Sequence, residues 1–164
     1  MKKRVSDIIS ENEIKSWTKE DIIIIGCATD SGKSYFCKND LYNYAKYNNN
    51  KIKMFVDRAN CKEQFQEEIR RGGKNDILTV DTYQKIENMN AFGRKNYDFC
   101  GCNYIVCDEF HYFLNDAKFN ENTDISFASI MEQNNAIKIL MKKKKKNMEE
   151  YIKRNIGAYP NGKN

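Results

Sequence analysis

Apolar residues recur along the chain as short β-branched runs separated by stretches with helical spacing. Ile22-Ile23-Ile24-Ile25 is unbroken and ends at Gly26, the pattern of a strand buried on both faces. From Lys33 to Lys46 the positions Phe36, Cys37, Leu41, Tyr44 and Ala45 recur at helical spacing, and Asn48-Asn49-Asn50 ends that helix. Ile52 to Val56 predicts a second strand. Cys61 to Arg70 predicts a helix with Cys61, Phe65 and Ile69 on one face, broken by Gly72-Gly73. Ile77 to Val80 is a third strand and Tyr83 to Met89 a short helix. Asn103 to Cys107 is a fourth buried strand, 112–124 a polar-aromatic loop, Ser126 to Met131 a helical stretch and Ala136 to Met141 a fifth strand. Ahead of these, Val5, Ile8, Ile9 and Ile14 suit no more than a short amphipathic helix, and residues 17–21 read as a polar turn. The alternation predicts an α/β domain with a mostly parallel sheet of about five strands, flanked by helices.

The chain's 164 residues, 40% of them hydrophobic, suffice for one domain with its own core. The longest apolar run falls far short of the ~18 residues of a membrane span. The N-terminal charges precede no apolar stretch, so no secretory signal is expected and the cytosol is the expected compartment. The net charge of +5 is uneven. Residues 142–164 carry eight Lys and Arg against Glu149 and Glu150, a local +6, and leave the body at −1. The expected division is therefore 1–16 as an N-terminal extension, 17–141 as the domain, and 142–164 as a basic tail with a loose end over 157–164. The run Lys142 to Lys146 reads as a solvated tail, with salt-sensitive nucleic-acid binding as the alternative. Six cysteines lack any Cys-x-x-Cys pair and read as reduced core residues rather than a zinc site.

Two segments carry chemistry. Cys27-Ala28-Thr29-Asp30-Ser31-Gly32-Lys33-Ser34 follows a predicted strand and opens a predicted helix, the context of a phosphate-binding loop. Residues Thr29, Asp30, Ser31, Gly32, Lys33 and Ser34 would then cradle a nucleotide. Lys33 would reach the outer phosphates and the Ser34 hydroxyl would ligate Mg²⁺. The first position of the usual Gly-x-x-x-x-Gly-Lys-Ser pattern is Cys27. The second segment, Asp108-Glu109-Phe110-His111, ends the fourth strand. There Asp108 would hold Mg²⁺ and Glu109 would act as general base toward the attacking water.

With these motifs the chain resembles the first RecA-like domain of a superfamily two helicase of the DExH/DEAD-box type, as found in phages of low-GC bacteria. The likeness covers roughly residues 15–141. It implies ATP and Mg²⁺ as cofactors. Met54 to Arg58, with Gln64, resembles the segment that touches the nucleic-acid backbone, with Arg58 as its phosphate contact. Thr79-Val80-Asp81-Thr82-Tyr83-Gln84 resembles a second such segment, with Thr82 as the contact. Trp17 falls where some relatives place an aromatic beside the adenine, with a core or interface tryptophan as the equal alternative. Asp30 replaces the family's usual glycine and sets a negative charge near the phosphates, so nucleotide binding is expected to be weak. The family's Ser-Ala-Thr motif, which couples hydrolysis to strand separation, is overwritten by Lys142 to Lys146.

One such lobe fits in 164 residues, so a second lobe with arginine fingers is not expected in this chain. The resemblance then implies at most a very weak ATPase and no autonomous helicase. It points to a protein acting by binding RNA or another nucleic acid, or a host protein complex, as a phage anti-defence adaptor or inhibitor of anti-CRISPR type. The alternatives are the ATPase lobe of a split helicase and a truncated helicase fragment.

Overall fold

In the computed structural model, residues 4–28, 31–91, 96–110, 121–143 and 151–156 are described. The five expected strands are present: β1 (Asp21–Cys27), β2 (Ile52–Val56), β3 (Leu78–Thr82), β4 (Tyr104–Cys107) and β5 (Ile137–Lys143). All pair in parallel, and a sixth strand, β6 (Tyr151–Ile156), pairs antiparallel with β1. The order across the sheet is β3-β2-β4-β5-β1-β6. The protein is an α/β domain whose sheet has helices on both faces.

Side-chain alternation sorts each strand between two cores. Ile23 and Ile25 of β1, Met54 of β2, Val106 of β4 and Ile139 and Met141 of β5 face one side. They meet α1 (Val5–Ile8), α2 (Glu11–Ser16), α3 (residues 33–47) and α4 (Ala59–Arg71). Phe55, Ile105, Cys107 and Leu140 face the other side, against α5 (Tyr83–Ala91) and α6 (Glu121–Met131). The crossovers through α3 and α4 run one way along the sheet on the first face. Those through α5 and α6 run the opposite way on the second face, so all four share one hand.

Helix α3 is composite: Lys33–Tyr35, a π-helical stretch Phe36–Leu41, then Tyr42–Tyr47. Phe36 and Leu41 are five apart, as are Cys37 and Tyr42. The wider turn keeps both pairs in the core.

Several expectations are refined. Residues 5–16 form two helices whose Val5 and Ile14 are buried, and Ser10 caps the second by accepting the Glu13 N–H at 3.1 Å. Of the two readings of Trp17 the core one holds: it is buried, and its Nε1 donates to Glu13 Oε1 at 3.1 Å. The stretch read as a tail supplies the end of β5 and all of β6. Pairing from Asp21↔Ile156 to Gly26↔Tyr151 covers the flank of the four-isoleucine strand that would otherwise be an open edge. Helix α6 begins five residues before the expected Ser126. The remaining tail residues, 144–150 and 157–164, lie outside the described residues, as do Thr29, Asp30 and His111.

Four of the six cysteines (Cys27, Cys37, Cys102 and Cys107) are buried, as expected for small core residues, whereas Cys100 and Cys61, expected on the apolar face of α4, are exposed. Burial pushes the Cys102 thiol up to about 11 and the Cys107 thiol up to about 12, so both stay protonated.

Buried Asp81 ties β3 to its surroundings. Its carboxylate lies 3.2 Å from Lys53 of β2, 3.1 Å from Lys62 of α4 and 3.5 Å from Lys85 of α5, and it accepts the Tyr97 hydroxyl. Burial works to raise its pKa, but the Tyr97 hydroxyl with Lys62 and Lys53 outweighs it and brings the value down to about 2. A depressed carboxyl contributes stability above the ordinary value of 3.8 and loses it as pH falls toward about 2. Asp81→Asn should therefore destabilise the fold by about 3 kcal/mol at pH 7, because it leaves Lys53 buried without its charge partner. Urea denaturation at pH 7 and pH 3 checks this, with a smaller effect expected at pH 3.

Candidate nucleotide site

The described site residues foreseen from the sequence lie at the C-terminal edge of the sheet, where α/β folds place their ligands. Along that edge the described residues run from Thr82 at β3, through Arg58 after β2 and Asp108-Glu109 after β4, to Ser31–Ser34 after β1. Only β5 separates β1 from β4, so the two chemistry-bearing ends are two strand spacings apart, roughly 10 Å.

The loop after β1 is held by its own backbone. Ser31 donates through Oγ to the Ala28 carbonyl at 2.6 Å and through its N–H to the same oxygen at 3.3 Å. Gly32 then turns with φ 83° and ψ 28°, a left-handed conformation that glycine adopts without strain. Lys33 opens α3, and Phe36 N–H closes the first turn on the Gly32 carbonyl at 2.9 Å. From outside, Val5 N–H donates to the Ser31 carbonyl at 2.9 Å, so α1 braces the loop. The hydrophobic pattern foreshadowed a helix near residue 5 but not its contact with the loop.

The segment after β4 is pinned as firmly. Asp108 N–H donates to Phe55 of β2 at 2.9 Å, and Phe110 N–H to Met141 of β5 at 2.8 Å. Between them Glu109 takes a left-handed φ of 50°, rare for a residue with a side chain. Its N–H donates to Asp108 Oδ1 at 3.0 Å, and the Tyr83 hydroxyl donates to the Asp108 carbonyl at 2.5 Å. Nothing in the spacing of the sequence marked Tyr83 for this role.

The two segments meet. Ser34 and Asp108 line one cavity of about 180 Å³ with apolar walls from Met54, Val56 and Phe65. Ser34 also lines a second cavity, of about 440 Å³, together with Arg4, Ser31, Gly32, Lys33 and Tyr35. Burial raises the Asp108 carboxyl above its ordinary range. The Lys33 ammonium pulls it back down and Glu109 adds to the rise. A buried carboxylate in this condition favours an added cation. Ser34 Oγ and the Asp108 carboxylate are hard oxygen donors that suit Mg²⁺, which takes one or two carboxylates and completes its shell with water and phosphate oxygens. Among the described residues no group of three His, Cys, Asp or Glu forms a cation cage. The donor set thus fits an ion that arrives with phosphates.

No protein-family model matches the chain, and no curated protein matches it.

The two nucleic-acid candidates sit beside this site. Arg58 precedes α4, its side chain is 75% exposed, and its Nε lies 3.9 Å from Asp57. Thr82 ends β3, and its Oγ1 accepts Lys85 N–H at 3.3 Å, capping α5. Val56 and Thr82 are register partners, which brings Arg58 and Thr82 to neighbouring strand ends.

The state of Asp108 makes a stability prediction of opposite sign to that of Asp81. A carboxyl raised by the fold contributes stability below its unfolded value of 3.8 and loses it as pH rises through the raised value, so ionised Asp108 weakens the fold at pH 7. Asp108→Asn keeps an acceptor for Glu109 N–H and removes the charge. It should raise the melting temperature at pH 7 by a few degrees, with the gain gone below pH 3.8. Thermal melts across that range check it.

Proposed function

We propose that the protein is a nucleotide-binding lobe of the helicase type, which binds ATP·Mg²⁺ weakly and acts by binding RNA or a host protein complex. The observation that carries this reading is the convergence of Lys33 and Ser34 with Asp108 and Glu109 across a single intervening strand. In it, Lys33 and the loop N–H groups hold the outer phosphates. Ser34 and Asp108 hold Mg²⁺, which would supply charge neutralisation at the phosphates. Glu109 accepts the proton of the attacking water. Turnover by this lobe on its own is slow, because the arginine finger that a second lobe contributes in the family it resembles is worth ~10³–10⁵ in rate.

The binding role is supported by the exposed Arg58 and by Thr82 on the same edge of the sheet, and by the +6 charge of residues 142–164. Phosphate contacts of this kind are independent of sequence and sensitive to salt. In this reading the protein serves a phage against a host defence system of the CRISPR kind, as an adaptor or inhibitor in the host cytosol. No helix among the described residues is long and apolar enough to cross a membrane.

Two measurements test it. Calorimetry with ATP·Mg²⁺ should show weak binding by the wild type and none by Lys33→Ala, and equal binding by both would refute the assignment. The purified 164-residue chain should unwind no duplex. It should also bind single-stranded RNA with an affinity that Arg58→Ala lowers about fivefold, and whose log–log salt dependence flattens by roughly 0.7. Fluorescence anisotropy at several salt concentrations reads both changes.

A further inference from the structure

Arg4 opens onto the phosphate loop and takes no part in the site as described so far. Its backbone is fixed from both sides: Arg4 N–H donates to Asp7 Oδ2 at 2.9 Å, and Asp7 N–H donates to the Arg4 carbonyl at 3.0 Å. The next residue is tied to the loop itself through Val5 N–H and the Ser31 carbonyl, at 2.9 Å. A Cβ on Gly32 would lie only 3.9 Å from the Arg4 Cβ, so the arginine stem rises directly beside the glycine. The residue is exposed, and among the described residues its guanidinium forms no ion pair. It lines the cavity of about 440 Å³ together with Gly32, Lys33, Ser34 and Tyr35. That cavity is of a size that takes a small ligand.

The geometry points to Arg4 as a second cation for the terminal phosphate of the bound nucleotide, acting with Lys33 and making the site selective for triphosphate over diphosphate. The inference rests on the nucleotide reading above and adds a residue to it. A guanidinium is always charged, and its planar fork matches two phosphate oxygens at once. Lys33 is a point charge. An arginine held by a helix that is hydrogen-bonded to the loop meets the phosphate with little ordering left to do. The third phosphate adds charge and oxygens that only the triphosphate presents to it.

The test is calorimetry of wild type, Arg4→Ala, Arg4→Gln, Arg4→Lys and Lys33→Ala with ATP·Mg²⁺ and, separately, with ADP·Mg²⁺. Melting curves establish that each variant is folded. Arg4→Ala and Arg4→Gln should each weaken ATP about tenfold, the effect of one charge-assisted hydrogen bond, and leave ADP nearly unchanged. Arg4→Lys should fall between them and the wild type. ATP affinity unchanged in both neutral variants, or ATP and ADP weakened equally, overturns the role of Arg4. If that happens while Lys33→Ala has lost binding, the nucleotide site stands and Arg4 alone fails. No ATP binding by the wild type, or wild-type affinity in Lys33→Ala, overturns both.

Discussion

The site depends on β5 lying hydrogen-bonded between β1 and β4. Ile22↔Lys138 on one side and Tyr104↔Ile137 on the other lock three parallel strands in register and hold the ends of β1 and β4 two spacings apart. Were the two strands direct neighbours, about 5 Å apart, the Lys33 ammonium would close on Asp108 and leave no room for a phosphate or an ion between them. Were they much farther apart, solvent screening would remove the influence of Lys33 on Asp108. At the observed spacing Lys33 pulls on the carboxylate while burial still pushes it upward, so the pair retains unsatisfied demand for charge. Hydrogen bonds from Asp108 to Phe55 and from Phe110 to Met141 tie this geometry into the sheet.

Two aspartates in this sheet illustrate what separates support from chemistry. Asp81 is surrounded by three lysines and a tyrosine hydroxyl, and its ionised form is held more firmly than in water. It joins β2, β3, α4 and α5. Asp108 has one lysine nearby and a carboxylate next to it in the chain, and its ionised form is disfavoured. A strained neighbour, Glu109 at φ 50°, sits at the same point. Perturbed carboxyls and backbone strain gather where a fold gives up stability for a task.

Much of this was legible because parallel strands buried on both faces must be apolar without interruption. The Ile22–Ile25 run and Tyr104–Cys107 therefore stand out, and whatever follows their C-terminal ends falls on one edge of the sheet. Period-based reading did less well where charge and geometry act together. Lys153 and Arg154 interrupt the apolar pattern of β6, whose main-chain pairing with β1 does not depend on such a pattern. The π-helical turn of α3 shifts its buried face to a spacing of five, which a 3.6-residue period does not detect. The burial of Trp17 and the bracing of Ser31 by Val5 are tertiary features, set by where α1 and α2 dock, and no local pattern encodes them. The Asp81 cluster gathers residues from β2, α4, β3, α5 and the segment before β4, a convergence invisible along the chain.

The central claim is that the loop after β1 and the turn after β4 form one ligand site. Titration of the ¹⁵N-labelled protein with ATP·Mg²⁺, followed by NMR, tests it most directly. The amides of Gly32, Lys33 and Ser34 and those of Asp108, Glu109 and Phe110 should shift together along one binding curve. Shifts confined to only one of the two segments, or to residues away from the C-terminal edge of the sheet, would contradict it.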